Sequence, residues 1–517
     1  MSSKRQILRR SMVVVFFSLL GGLTGILVET SIAAKLGLSR TSDAFYIAFT
    51  VPYIITNLIS ATGQFSLVPF FSALEARHSP DELSQGFSYA VNIGFLGLSG
   101  IAVLGALTAP WLVRGIAPGF TLGQVELAAQ LSKGLFLIII PAGVAEVFRS
   151  FLFSKRRLAL PSAASLIRNV TVIASILFTF ERYGEYSIVI GYLVGYLVQF
   201  VILGGQILVL YPLRYSWIVA GGGEAFRNLR GAGRAQLVSA SAWQAVTIVE
   251  RIIASFLPAG TLTALNYGLK IMTSLTELLA GSIGTVTLPA LSKATALEAP
   301  RERHKTFHDI LEISLSLVSP AMVFCLMLDS NIIRLVFERG NFTPEATALM
   351  SEVFFYYSLS LVVYSLMRVL TFYLFARNES AVFFRLAVFQ YGLNIGFDLL
   401  YVGVLRMGAI GIPLGLLSSL IVACGLAVQR DLADLRAVLD RSLGIFTLKN
   451  VLGSALAALT VWGLGIWFQS PASGFGNFLY LSALCGAGSL AYVAALKVSR
   501  AKGFSLFAAI WKRPEDS

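Results

Sequence analysis

The sequence predicts an all-α integral membrane protein with about fourteen transmembrane helices, arranged as two six-helix pseudo-repeat lobes plus two C-terminal helices. Three observations carry this. First, 56% of the 517 residues are hydrophobic and 13% charged, with a mean hydropathy of +0.76. Soluble domains average about 25% charged residues, so this chain has too few charges to coat a soluble surface. Second, long apolar runs recur between charged connectors, each near the roughly 20 residues that a helix needs to cross a bilayer core. Third, the connectors alternate in charge: 26 Lys and Arg fall on one side and eight on the other.

The runs lie at 12–34, 44–72, 85–112, 130–153, 161–180 and 186–210, then 235–257, 264–290, 308–328, 350–375, 382–404 and 409–428, and finally 450–468 and 475–496. In lipid only a helix satisfies its own backbone without closing a barrel, and these runs are too long and too uniformly apolar for barrel strands. The first run follows Lys4, Arg5, Arg9 and Arg10 and has no small-residue cleavage site leading to a soluble domain, so it reads as a span and not as a cleaved signal peptide. The second, eighth and ninth contain or end near Pro52, Pro289 and Pro320; Pro52, Pro320 and Pro141, in the fourth, are expected to kink their helices. The cation-rich connectors include Lys155-Arg156-Arg157, the Gly- and Arg-rich stretch Gly221–Arg234, and Arg430–Lys449. By the positive-inside rule they place both termini in the cytoplasm. The net charge of +13 is therefore mostly a topology signal; it argues for anionic lipid headgroups as neighbours and not for nucleic acid.

A weak internal repeat orders the spans. Shifting Ala44–Ser72 by 220 residues brings Ala44 onto Ala264, Thr56 onto Thr276, Leu58 onto Leu278, Pro69 onto Pro289 and Ser72 onto Ser292. Leu152-Phe153-Ser154-Lys155 is echoed by Leu374-Phe375-Ala376-Arg377. Six spans per half give the halves the same orientation, hence a parallel repeat. The expected division is 1–220, 221–441 and a third part, 442–517, holding two extra helices and a basic cytoplasmic tail. Repeat-built transporters place substrate near the midplane.

Ionisable residues inside spans are costly and mark cavities or partners. Arg149, Arg168 and Arg385 are expected to snorkel to the cytoplasmic face. Glu250 and Arg251 are adjacent, so they point to different sides of a helix and cannot simply neutralise each other. Lys270 and Glu277 lie seven residues apart, two turns along one face; Arg251 and Lys270 on consecutive spans can line one cavity. Glu29 stands in the matching first span of the other half. Gly21-xxx-Gly25, Gly191-xxx-Gly195 and Gly411-xxx-Gly415 read as helix-packing pairs, and the run Phe354-Phe355-Tyr356-Tyr357 as lipid-facing or interfacial. Cys325, Cys424 and Cys485 are odd in number and widely spaced, and His78, His304 and His308 sit in or beside polar connectors. Neither a disulfide framework nor a metal or haem centre is expected. No GxxxxGK[ST], GxSxG or HExxH occurs and the longest connectors run to about 25 residues, so the chain reads as a transporter and not as an enzyme or a nucleotide-driven pump.

Thr41-Ser42-Asp43-Ala44-Phe45 with Ala48-Phe49 and Pro52, Ala254-Ser255-Phe256-Leu257 leading to Tyr267, Thr287-Leu288-Pro289-Ala290-Leu291-Ser292-Lys293, and Phe337-Glu338-Arg339-Gly340-Asn341-Phe342-Thr343 together resemble the MviN/MurJ-type lipid II flippases of the MOP exporter superfamily. The resemblance covers most of the chain. It implies a flippase of the bacterial cytoplasmic membrane that moves an undecaprenyl-diphosphate-linked cell-wall precursor by alternating access in peptidoglycan biosynthesis. It implies no cofactor beyond a coupling ion, H⁺ or Na⁺, or the membrane potential, and cell-wall synthesis machinery as a partner beside the lipid substrate. The family's cation on span 8 falls on Lys270, its acid after span 1 on Asp43 and an acid near the end of span 1 on Glu29. Lys270, Arg251, Asp43 and Glu29 are thus the expected substrate-binding set, and Glu29, Asp43 and Glu277 the coupling-ion candidates. The arginines that the family carries on spans 1 and 2 meet Gly22, Val28 and Thr56 or Asn57 here, and an acid of span 2 meets Thr62. The alternatives are a flippase for another lipid-linked glycan, of exopolysaccharide or O-antigen type, a MATE-like cation-coupled antiporter, and a non-transporting cell-wall scaffold.

Overall fold

A computed structural model describes residues 3–77, 79–220, 244–281, 283, 291, 295, 300–377, 379–427, 440–468, 471 and 474–499. The described residues are overwhelmingly helical. Eleven helices are long and apolar enough to cross a membrane, or twelve when the bent pair Pro344–Leu359 and Leu361–Ala376 counts as one span. These correspond in order to spans 1–6 and 9–14 of the sequence reading. Spans 7 and 8, the Thr287–Lys293 motif, the Gly221–Arg234 connector and the basic tail lie wholly or partly outside the described residues.

Contacts group the chain into two compact units, Met1–Thr263 with Arg339–Phe342, and Ala264–Glu338 with Thr343–Ser517. The first contains α1 (Ser3–Leu36), α2 (Arg40–Thr62), α3 (Val68–Arg77), α4 (Pro80–Ile116), α5 (Leu122–Leu137), α6 (Ile139–Ser154), α7 (Ala159–Tyr183), α8 (Tyr186–Leu210) and α9 (244–254). A π-helical segment, Gly63–Leu67, joins α2 to α3. The starts are written in local chemistry. Ser39 caps α2: its hydroxyl accepts from Ser42 N–H at 3.2 Å while Ser42 Oγ accepts from Ser39 N–H at 2.9 Å. Ser79 and Glu82 make the same reciprocal cap for α4, with Pro80 in its first turn.

The glycine pairs pack helices as expected. A Cβ at Gly21 would stand 2.7 Å from Ser165 Oγ on α7, and Cβ atoms at Gly191 and Gly195 would press at 3.0–3.2 Å on α7. Beside Gly21, Asn169 Nδ2 donates to Gly21 O at 3.1 Å and to Thr24 Oγ1 at 3.2 Å. An aromatic cluster of Phe71, Phe87, Phe148 and Phe151 fills the space between α3, α4 and α6. After α8 the backbone runs extended along α4, bonded to a stripe of residues spaced by four: Ser84 and Ser88 accept from Arg214 N–H and Ser216 N–H, and Asn92 Nδ2 donates to Ser216 O and Ile218 O.

The second unit contains α10 from residue 264 onward (Thr261–Thr276 in full), a second π-helical segment at Glu277–Gly281, α11 (Pro300–Met327), α12 (Asp329–Phe337), α13 (Pro344–Leu359), α14 (Leu361–Ala376), α15 (Ser380–Asp398), α16 (Gly411–Leu426), α17 (Arg441–Trp467) and α18 (Gly474–Val498). The chain bends by 46° between α13 and α14. Phe307 and Tyr373 stack at 4.2 Å in its core. Asn450 ties the last two helices to α11, donating to Leu315 O at 3.1 Å and Ser319 Oγ at 2.9 Å while accepting from Tyr492 OH. The aromatic run on α13 departs from expectation. Phe354 and Tyr357 are buried, not lipid-facing, because the i, i+3 spacing turns both inward and Tyr357 packs where Gly268 leaves room, 2.9 Å from its virtual Cβ.

Candidate functional site

Three of the sequence motifs meet at one end of the first unit. Asp43, at the start of α2, is 3% exposed. Gly260 N–H donates to its Oδ2 at 2.6 Å, and Thr263 N–H and Oγ1–H donate to its Oδ1 at 2.9 and 2.7 Å. Ser42 Oγ lies 3.0 Å from Thr263 Oγ1. Residues 43 and 263 are the pair that the 220-residue shift superposes, so the starts of α2 and α10 are clasped at equivalent points. Ser255 Oγ accepts from Gly119 N–H at 3.1 Å. The third motif closes on the end of α1: Asn341 N–H donates to Ala34 O at 2.8 Å and Asn341 Nδ2 to Lys35 O at 2.7 Å. Gly37 (φ +62°) and Gly340 (φ +60°) each approach the other segment's backbone; a Cβ on the first would stand 2.4 Å from Asn341 O and one on the second 2.2 Å from Ala34 O. Only glycine meets both the left-handed backbone and the close approach.

The remaining predicted residues fall in different places. Glu29 on α1 accepts from Tyr46 OH on α2. Arg251, on α9, is close enough to act electrostatically on Asp43. Lys270 belongs to the second unit, half-buried on α10, and its ammonium has no side-chain partner among the described residues. Glu277 opens the π-helical segment and pairs with Arg368 Nη2 of α14 at 2.9 Å. The structure thus joins Asp43 and Glu29 to other residues of the first unit, while Lys270 and Glu277 stand in the second. Sequence spacing alone could not supply Arg368 as the partner of Glu277, since they are 91 positions apart.

Two arginines expected to snorkel do something else. Arg149 binds Glu146 through Nε (2.9 Å to Oε2) and Nη2 (2.9 Å to Oε1). Arg168 lies over the Tyr196 ring, 4.9 Å from its centroid, and donates to Tyr196 OH at 3.3 Å. Both line a cleft of about 390 Å³, counted to its mouth, with Thr56, Ser60, Glu146 and Gln199. Interior polar partners hold them there. Arg385 is exposed on α15.

Asp398 is another of the ionisable residues that the sequence places inside a span. Asp398 is fully buried on α15, where Asn394 Nδ2 donates to its Oδ2 at 3.0 Å and Gly415 makes room, its virtual Cβ being 2.0 Å from Oδ1. Against the expectation of no His-based metal centre, His308, Asp309 and Glu312 bring one ligand atom each within 4.8 Å of one another. His308 Nε2 also faces Asp440 Oδ1 at 3.5 Å, a contact that makes an ion-pair network an equal account of the cluster.

The family model described as "Lipid II flippase MurJ" matches residues 32–482. The chain is 27% identical over 380 residues to the lipid II flippase MurJ of Burkholderia cenocepacia, covering 70% of this chain and 72% of the relative. It is 27% identical over 398 residues to the probable lipid II flippase MurJ of Thermotoga maritima, covering 76% and 78%. Among solved structures, one described as "Lipid II flippase MurJ, inward closed conformation" superposes with a TM-score of 0.79 at 21% identity, over 95% of this chain and 98% of that one. An inward-facing multidrug resistance MATE transporter of the MOP superfamily superposes at 0.66 and 13% identity, over 83% and 96%. At these identities the solved structures speak for the fold, and the match over residues 32–482 speaks for kinship: this multi-pass membrane chain belongs to the lipid II flippase MurJ family.

Proposed function

We propose that this chain translocates lipid II, the undecaprenyl-diphosphate-linked cell-wall precursor, across the bacterial cytoplasmic membrane, with both termini in the cytoplasm. The observation that carries the reading is the family match over residues 32–482; the 26-to-eight cation bias of the connectors supports the orientation. No bond is made or broken. The physical task is to carry a glycan and a diphosphate past an apolar core in which an unpaired charge costs several kcal/mol. The reading divides the chain into lobes 1–220 and 221–441 that rock about a substrate path, with 442–517 beside them.

Lys270 is the cation best placed to attract the diphosphate, because its ammonium is not engaged by a carboxylate among the described residues; Arg251, Asp43 and Glu29 complete the binding set. Asp43 contributes by fixing the clasp, since its two oxygens already accept three hydrogen bonds. The polyprenyl tail lies on the apolar surface that α17 and α18 expose at Leu448, Leu452, Trp462 and Leu490. Direction follows from charge. The cytoplasm is the negative side, so an outward-moving anion gains about 2.3 kcal/mol per charge per 100 mV. Coupling to H⁺ or Na⁺ through Glu29, Asp43 or Glu277 adds to this drive.

The test is growth rescue in bacteria depleted of their own lipid II flippase, with membrane insertion verified by blot. Rescue is expected. Correct insertion without rescue would sink lipid II as cargo and favour another lipid-linked glycan, the reading motivated by Gly22, Val28 and Thr56 at positions where the family carries arginine.

A further inference from the structure

The cleft inside the first unit has a charge imbalance that packing does not explain. It holds two guanidinium groups and one carboxylate. Arg149 is neutralised by a two-point contact with Glu146. Room for that pair is made by Gly63, whose virtual Cβ stands 2.4 Å from Glu146 Oε1; the π-helical segment that begins at Gly63 is the kind of helix defect often kept at functional sites. Arg168 has no carboxylate partner among the described residues. Its donors reach only neutral oxygens, Asn169 Oδ1 at 3.2–3.4 Å and Tyr196 OH at 3.3 Å, all long for bonds from a cation.

A second observation points to a ligand. Gln199 is 7% exposed and lines the cleft, yet its Oε1 has no hydrogen-bond partner among the described residues. A buried amide left unmatched is costly. Its oxygen and nitrogen exchange places when the amide turns over, which would present an NH₂ donor to an anion in the cleft. Its interior space of about 50 Å³ exceeds the roughly 10–15 Å³ that a single water needs and fits a small anionic group. Thr56 and Ser60 also lie on its wall, their hydroxyls already bonded to Tyr53 O at 2.9 Å and to Glu146. A planar fork and an amide match an anion with several acceptor oxygens better than a spherical one.

We infer that the cleft lined by Arg149, Arg168, Gln199, Ser60 and Thr56 is a phosphoryl-anion site that receives the diphosphate of the translocated lipid. This rests on the flippase reading above and adds to it a second anion station, separate from Lys270. Arg149 lies five residues before the last residue of α6, about 8 Å along the axis. That is the end followed by Lys155-Arg156-Arg157, which the orientation proposed here puts at the cytoplasmic face. The cleft therefore serves loading: it holds the headgroup before the lobes rock.

The experiment measures binding to the purified full chain in nanodiscs with two probes, undecaprenyl diphosphate and inorganic pyrophosphate. Arg168→Gln, Arg168→Lys and Gln199→Leu are compared with wild type, and thermal unfolding controls folding. Arg168→Gln is expected to weaken both probes about tenfold or more, and Arg168→Lys to keep part of the affinity. Gln199→Leu is expected to weaken binding while leaving the unfolding temperature equal or higher, since it removes a buried unmatched amide; a purely structural Gln199 would leave binding unmoved. If wild type binds pyrophosphate in an Arg168-dependent way but not the polyprenyl lipid, the phosphoryl site stands and the flippase reading falls. If wild type and a normally folded Arg168→Gln bind the lipid equally, the site is overturned and the flippase reading stands. Wild type binding neither probe also overturns the site.

Discussion

Asp43 shows how a residue flagged for charge can work through structure. Its carboxylate accepts from Gly260 N–H and twice from Thr263 inside a buried cap. Asp43→Asn keeps the shape but removes the charge and one acceptor oxygen. Bonds to a charged group contribute about 1.5–3 kcal/mol each. Asp43→Asn is therefore expected to destabilise the protein by about 2 kcal/mol, read as a fall in the thermal unfolding midpoint, and to lose activity along with it. Lys270 is the contrast. With no carboxylate partner among the described residues, Lys270→Ala is expected to leave unfolding within about 0.5 kcal/mol of wild type while abolishing rescue of flippase-depleted cells. Loss of folding in Lys270→Ala, or full rescue by it, would remove Lys270 from the binding set.

At the scale of elements, helix starts and helix defects carry the information. The last long pair begins at Asp440, whose Oδ1 accepts from Leu443 N–H at 2.8 Å. That bond, with His308 nearby as a lesser influence, holds the Asp440 carboxyl below the ordinary carboxylate range. A carboxyl lowered in the folded state adds stability above its ordinary value and loses it as pH falls through its folded value. The start of α17 should thus be firmest at neutral pH and loosen in acid. Hydrogen exchange at 441–444 is expected to quicken as pH drops below about 4, after correction for intrinsic rates, with Asp440→Ala showing fast exchange at every pH. The cap itself is worth about 1 kcal/mol. The two π-helical segments, Gly63–Leu67 and Glu277–Gly281, sit near matching points of the 220-residue repeat, and each lies against a Glu–Arg pair: Glu146–Arg149 in one unit and Glu277–Arg368 in the other.

For the whole molecule, alternating access requires some contacts to form and break in each cycle. The clasp that joins Ser42 and Asp43 to Gly260 and Thr263 is built of hydrogen bonds beside the buried apolar residues Phe45 and Leu262. Ser42 Oγ and Thr263 Oγ1 lie 3.0 Å apart. A Ser42→Cys/Thr263→Cys double variant is expected to form a disulfide under oxidation, to stop transport in that state and to regain it on reduction. Transport that persists with the disulfide formed would show that this end does not move. Cys325, Cys424 and Cys485 are replaced beforehand, being free thiols.

The sequence by itself determined the class of protein, the run of spans and the packing role of its paired glycines, because hydropathy and small-residue spacing are properties of a single helix and need no partner to be read. It also contained the clasp motifs, Ser42-Asp43, Ser255 and Gly340-Asn341, without revealing that they bond to residues up to 306 positions away. Tertiary structure alone decided which charges are engaged. Arg149 and Arg168 read as snorkelling side chains until Glu146, Tyr196 and Gln199 are seen around one cleft, and Glu277 reads as a companion of Lys270 until Arg368 is found across the helix interface. Tyr357 likewise turns inward where Gly268 leaves space for it. The physical reason is common to all three. In a chain whose spans are nearly all apolar, a side chain's surroundings are set by which helix packs beside it, and that choice is made by contacts between residues far apart in sequence.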